Sequence, residues 1–346
     1  MTQSPHLSRA LLATAALATV FGTLTPHAQD GFRFTSGVEL VNVTATVTDD
    51  NGRFVPSLTK DDFSVFENGK RQDVSYFSND RTPVSLGIAL DASGSMTADK
   101  MAAARSAIDR FIFDLLGRED ELFFIEFASS ARVTQGWTTD RALISRAVSR
   151  VDPVGGTALY DAVARALPVA ASGRHKKRAV LVISDGNDTS STVSVALLRQ
   201  QIRESEVLVY ALGVDGAARV ETNRPRPPIG IPFPGPFPLP PGRGRTPFPP
   251  PIGGGGSGGT WTRTSGERVN GDALREVTDD TGGRTEIVRG FGDLHAATAR
   301  LADELSKQYS LGYSSSEEKD GRWHPIRVEV RDKRLTVRAR RGYVAG

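Results

Sequence analysis

A chain of 346 residues with 38% hydrophobic and 24% charged side chains is long enough for more than one core and too polar for a protein made of many membrane spans. Its 43 Lys and Arg against 40 Asp and Glu leave a formal net charge of +3, which argues against nucleic acid as the partner. The absence of cysteine excludes disulfides, Cys-ligated zinc or iron–sulfur, cysteine catalysis and a lipidated cysteine anchor.

In chain order, residues 1–28 contain one charged side chain, Arg9, followed by an apolar run from Ala10 to Phe21 and then small residues. These are the parts of a secretory signal, and the run is short for a span of about 20 residues. We expect export to the periplasm, cell envelope or medium, with cleavage after Ala28 and no membrane span in the mature chain.

From residue 29 to 79 the texture is β. Val38, Leu40, Val41, Val43 and Val47 are interleaved with threonines up to Asp49-Asp50-Asn51-Gly52, a hairpin signal. Phe63 to Glu67 runs into a second turn, Asn68-Gly69, and Val74 to Phe77 follows.

Between 80 and 310 strands and helices alternate. Strands are expected at Val84–Leu90, Leu122–Phe127, Ala179–Ile183, Val207–Leu212 and Arg284–Val288. Helices are expected at Lys100–Leu116, Asp140–Val151, Ala158–Ala171, Val193–Glu204 and Gly292–Tyr309. This order predicts an α/β, doubly wound, mainly parallel sheet. Between Glu221 and Thr260 stand 13 of the chain's 20 Pro and 10 of its 35 Gly, so a Pro/Gly-rich insert, 217–270, interrupts this domain and is expected to be disordered. Segment 311–346 returns to alternation at Ile326–Val330 and Leu335–Ala339. It is expected to pair with 29–79 into one β-rich domain that holds the α/β domain as an insertion. Arg327, Arg331, Lys333, Arg334, Arg338, Arg340 and Arg341 are expected on its solvent face.

The residues that carry chemistry follow the strongest strands. Strand 84–90 ends in Asp91-Ala92-Ser93-Gly94-Ser95, strand 179–183 ends in Ser184-Asp185-Gly186, and between them Gly155-Gly156-Thr157 opens a helix. Loops at the carboxyl ends of parallel strands converge on one crevice. Two carboxylates and three hydroxyls would meet there, and oxygen-only donors suit a hard divalent cation. With two carboxylates offsetting a 2+ ion and neutral alcohols beside them, the ion stays electrophilic toward a carboxylate from outside.

Asp91-x-Ser93-x-Ser95, Thr157 and Asp185-Gly186 resemble the metal-ion-dependent adhesion site of von Willebrand factor type A (vWA) domains. The resemblance covers roughly 80–310 and implies a Rossmann-like fold. It makes Ser93, Ser95 and Thr157 hydroxyl ligands, with Asp91 and Asp185 binding directly or through water. The flanks at 41–69 and 309–343 are similar to exported bacterial proteins grouped as vWA-related acidobacterial-type domain proteins. The implied role is non-enzymatic: a bound Mg²⁺, or else Mn²⁺ or Ca²⁺, bridges to an Asp or Glu of a partner protein. The rival readings are an envelope scaffold without a functional metal and a metal-assisted hydrolase.

Several signals have blander readings. Thr157 doubles as a candidate N-cap, and Asp161 and Asp188 read as solvated residues beside the site. Gly255-Gly256-Ser257-Gly258-Gly259 satisfies G-x-S-x-G but has no strand before it. His6, His27, His175, His295 and His324 show no metal or triad spacing. Pro232, Pro234, Pro236 and Pro238, with Phe233, Phe237 and Phe248 among them, leave a docking role for the insert as the alternative to a plain loop.

Overall fold

The computed structural model describes residues 39–215 and 269–346; the expected export signal and nearly all of the Pro/Gly insert, including the G-x-S-x-G run, lie outside the described residues. The first strand, β1 (Glu39–Thr48), shows the expected alternation, burying Val41, Val43, Ala45 and Val47. Its turn forms as expected, with Asp49 Oδ1 accepting from Asn51 N and Arg53 N at 2.9 and 2.8 Å. The expected hairpin is not built, however. One bridge joins Thr48 to Phe54, and Pro56 then offers no N–H to extend the ladder. A tight hairpin does form at Asn68-Gly69, where both residues have positive φ, joining β2 (Phe63–Glu67) to β3 (Lys70–Gln72); β4 (Val74–Ser78) follows.

The chain then enters β5 (Val84–Asp91), buried along its whole length. Helix α1 (Ala98–Arg110) is capped by Thr97 and continues into a single wider π turn over Phe111–Leu115. After it come β6 (Glu121–Phe127), β7 (Ala131–Thr138), α2 (Arg141–Ser149), α3 (Leu159–Ala171), β8 (Lys177–Ser184), α4 (Val195–Glu204) and β9 (Leu208–Val214). Beyond residue 268 lie α5 (Gly271–Thr278), β10 (Thr285–Val288), α6 (Phe291–Lys307), β11 (Tyr309–Ser315), β12 (Trp323–Val330), β13 (Thr336–Ala339) and β14 (Gly342–Val344).

Six strands form the central sheet in the order β10-β9-β8-β5-β6-β7, parallel except for β7. Alternation within the apolar strands explains why they read as unbroken. Ile88, Leu90, Phe124, Leu181 and Tyr210 face the layer that includes Ile108, Ile144 and Leu301. Ala89, Phe123, Ile125, Val180 and Val209 face the layer that includes Val163, Ile202 and Leu274. Both faces are therefore covered, as a parallel sheet requires. The antiparallel edge strand β7 was not expected from the sequence, since its inward positions Ala131, Val133 and Trp137 are diluted by Gln135 and Gly136.

Two four-stranded sheets, β13-β1-β11-β4 and β14-β12-β2-β3, share a third core that includes Val43, Val65, Tyr309, Leu311 and Ile326. In the first, strands from 39–78 alternate in antiparallel pairing with strands from 309–339; in the second, β12 pairs antiparallel with β2, joining the β12–β14 pair to the β2–β3 hairpin. The basic run near the C-terminus divides. Arg327, Arg331, Lys333, Arg334 and Arg341 are exposed, with side chains 61–83% accessible. Arg338 and Arg340 instead turn inward onto Glu304 and Glu206, at 2.7 and 3.0 Å. Among the described residues no helix is long and apolar enough to cross a membrane.

Candidate functional site

The parallel register sets the site. β5 lies beside β8 with Leu90 opposite Ile183, so the next residues, Asp91 and Ser184, stand at adjacent strand ends. Both carboxylates, Asp91 and Asp185, are fully buried; Ser93 and Thr157 are nearly so, and Ser95 is half-buried.

Three loops are stitched together at this edge. Val154 N donates to Ala92 O at 2.7 Å and Gly94 N to Gly155 O at 2.9 Å, joining the loop after β5 to the loop before α3. Gly155 has φ 86, the left-handed region open to glycine, which lets its carbonyl accept that bond from Gly94 N. Thr157 N donates to Thr189 Oγ1 at 2.9 Å, and Thr157 O accepts from Thr189 N and Ser190 N at 2.8 and 3.0 Å, joining the loop before α3 to the loop after β8.

Within this frame Ser93 N donates to Asp91 Oδ1 at 2.8 Å, and the hydroxyls of Ser93 and Ser95 share a hydrogen bond of 3.0 Å. Ser184 Oγ donates to Asp91 Oδ2 at 2.5 Å. Burial pushes the Asp91 carboxyl up to about 6 against the pull of the Ser184 and Ser93 hydrogen bonds, and the Asp185 charge pushes the same way. Asp185 Oδ2 faces the ammonium of Lys100 at 3.3 Å.

All five predicted residues therefore sit on the three loops at the carboxyl edge, and two further side chains join them. Ser184 was legible as the strand-end neighbour of Asp91 once the register was known. Lys100 follows the D-x-S-x-S loop by one helical turn, and only the short distance between loop and helix marked it. The expected capping by Thr157 is corrected: the N-cap of α3 is Ala158, which has no side-chain bond to give. Asp188, expected to be solvated, supplies the cap from the neighbouring loop, where its Oδ1 accepts from Leu159 N at 2.8 Å. Asp161 is likewise engaged, accepting from Thr192 N and Val193 N at 3.0 and 2.8 Å.

Among the described residues no three His, Cys, Asp or Glu side chains converge as metal ligands. A cation here depends on two carboxylates and on neutral hydroxyls, a donor set that fits a hard divalent ion and no soft one. The described histidine rings are bonded elsewhere: His175 Nε2 to Glu119 O, His295 to Ser106, and His324 to Asn68 and Asp320.

Comparison with known proteins locates a family in this part of the chain. Residues 86–187 match the family model described as von Willebrand factor type A domain. Solved structures give looser likenesses. BatB, a conserved hypothetical protein from Bacteroides thetaiotaomicron, is 20% identical with a TM-score of 0.43, over 64% of this chain and 98% of that one. A von Willebrand factor type A protein from Catenulispora acidiphila is 14% identical with a TM-score of 0.47, over 90% and 75%. Proximal thread matrix protein 1 from the mussel byssus, in a structure with a zinc-occupied MIDAS motif, is 14% identical with a TM-score of 0.47, over 70% and 50%. No curated protein matches the chain.

Proposed function

We propose that the chain, whose residues 86–187 match the von Willebrand factor type A domain model, is an exported, metal-dependent protein-binding module acting in adhesion or assembly. Asp91, Ser93, Ser95, Thr157 and Asp185 hold a divalent cation, Mg²⁺ first among the candidates. Such an ion supplies a coordination position open to a carboxylate of the partner, an Asp or Glu side chain.

One observation carries the reading: two fully buried carboxylates and three hydroxyls, carried by three loops cross-linked by backbone hydrogen bonds, gather at the carboxyl edge of one mainly parallel sheet. Burial on this scale is costly for carboxylates with no role, because each resists losing its water. Binding rather than turnover is the proposed activity, since the donors that surround the site are ligands and caps rather than a poised base.

Isothermal titration of the protein with Mg²⁺ or Mn²⁺ tests the proposal. Binding is expected in the wild type and lost in Asp91→Ala; an unchanged isotherm in the variant would remove the assignment. Chelator-sensitive capture of a protein partner is the corresponding test of function, and chelator-insensitive capture would favour a scaffold role.

A further inference from the structure

Lys100 is 4% exposed, although lysine is among the residues least often buried. Its Nζ lies 3.3 Å from Asp185 Oδ2 and 3.1 Å from Ser95 O. Both partners belong to loops that carry proposed ligands. The reach follows from the helix: Thr97 caps α1 immediately after the D-x-S-x-S loop, its Oγ1 accepts from Lys100 N at 3.5 Å, and helical side chains lean toward the N-terminus. The lysine stem is thereby aimed back over the loop it has just left.

We infer that Lys100 is a resident counter-cation of the site, occupying in charge terms part of the place a divalent ion would take; the inference rests on the metal-binding reading above. Two buried aspartates without it carry two uncompensated negative charges, and with it one. Two consequences of opposite sign follow. The metal-free protein is more stable with Lys100, because a buried carboxylate left without a partner is strongly destabilising. The metal-binding protein is weaker with Lys100, because an incoming cation meets an ammonium a few ångströms away in a poorly solvated site. A residue that merely packed would not strengthen metal binding on removal. One that merely ligated would weaken it.

The test uses Lys100→Met, which keeps the length and apolar stem, and Lys100→Gln, which keeps an N–H donor for Ser95 O and serves if the first variant does not fold. Two measurements are made on the full chain: calorimetric titration with Mg²⁺ alone, and thermal unfolding in chelator. The expected result is Mg²⁺ binding tightened by about tenfold or more, together with a lower melting temperature in chelator. Binding equal to or weaker than wild type in the variants overturns it and leaves the metal reading standing. Absence of Mg²⁺ and Mn²⁺ binding in wild type and variants alike overturns both.

Discussion

The Ser184 hydroxyl donates to Asp91 Oδ2 at 2.5 Å across the gap between two neighbouring strand ends, and its oxygen accepts from Gly186 N at 2.9 Å. One side chain thus orients one proposed ligand and starts the loop that carries the other. Ser184→Ala removes both bonds and leaves a buried carboxylate oxygen unsatisfied, which is expected to cost about 1–3 kcal/mol. Urea unfolding in chelator measures that loss, and Mg²⁺ titration is expected to show weaker binding. A variant matching wild type in both would mean that the bond positions nothing.

Gly186 tests the loop by a different route. Its φ is 77, and a Cβ added there would stand 2.5 Å from the backbone oxygen of Asn270. Gly186→Ala meets a disfavoured backbone conformation and a clash that backbone cannot easily relieve. Destabilisation of about 2 kcal/mol or more is expected. Stability equal to wild type in thermal unfolding would show that Asn270 yields freely.

How much of this was legible beforehand depended on how local each signal was. The apolar runs at 84–90 and 179–183 and the D-x-S-x-S motif are local patterns, so the parallel sheet and the five candidate ligands could be read directly. Lys100 was missed and Asp188 was read as solvated because their roles come from partners on other segments: an aspartate 85 residues away for one, and the first turn of α3 for the other. Arg338 and Arg340 were placed on a solvent face by alternation alone, which cannot anticipate that Glu304 and Glu206 would meet them. The hairpin expected at Asn51-Gly52 failed for a reason written in the sequence, Pro56, whose missing donor outweighs the turn signal.

Lys177, at the opposite end of β8 from the site, makes a prediction about pH. Its ammonium donates to Leu305 O at 2.9 Å, and burial lowers its pKa from 10.5 to about 8, with Asp120 opposing and Arg81 reinforcing the shift. Between these values the unfolded chain binds more protons than the folded one, so this residue makes stability rise with pH from about 8 to 10.5, by as much as roughly 3 kcal/mol. The measurement is the difference between wild type and Lys177→Met in denaturant unfolding across that window. Parallel curves would contradict the assignment.

Glu304, on α6, gathers charges from two sheets. It is 4% exposed, accepts from Arg338 at 2.7 Å and Thr46 at 3.3 Å, and pairs with Arg284 at 3.3 Å. Glu304→Gln leaves two guanidiniums facing a neutral group. Because both keep about a quarter of their surface in water, the expected loss is near the low end for a broken buried pair, about 3 kcal/mol. Arg338→Met is expected to cost less, since Arg284 still compensates the carboxylate. The reverse order in unfolding experiments would place the main partner of Glu304 elsewhere.

All three sheets draw strands from both sides of residues 216–268: β10 beside β9, β11 between β1 and β4, and β12 beside β2. A single peptide bond cut within 216–268 would therefore produce two interlocked fragments, neither able to complete a sheet alone. The cut protein is expected to elute from a size-exclusion column as one species under native conditions and as two in denaturant. Refolding would then become a bimolecular complementation whose yield depends on concentration. Covalent continuity and folded integrity are separable here, although the chain is one polypeptide.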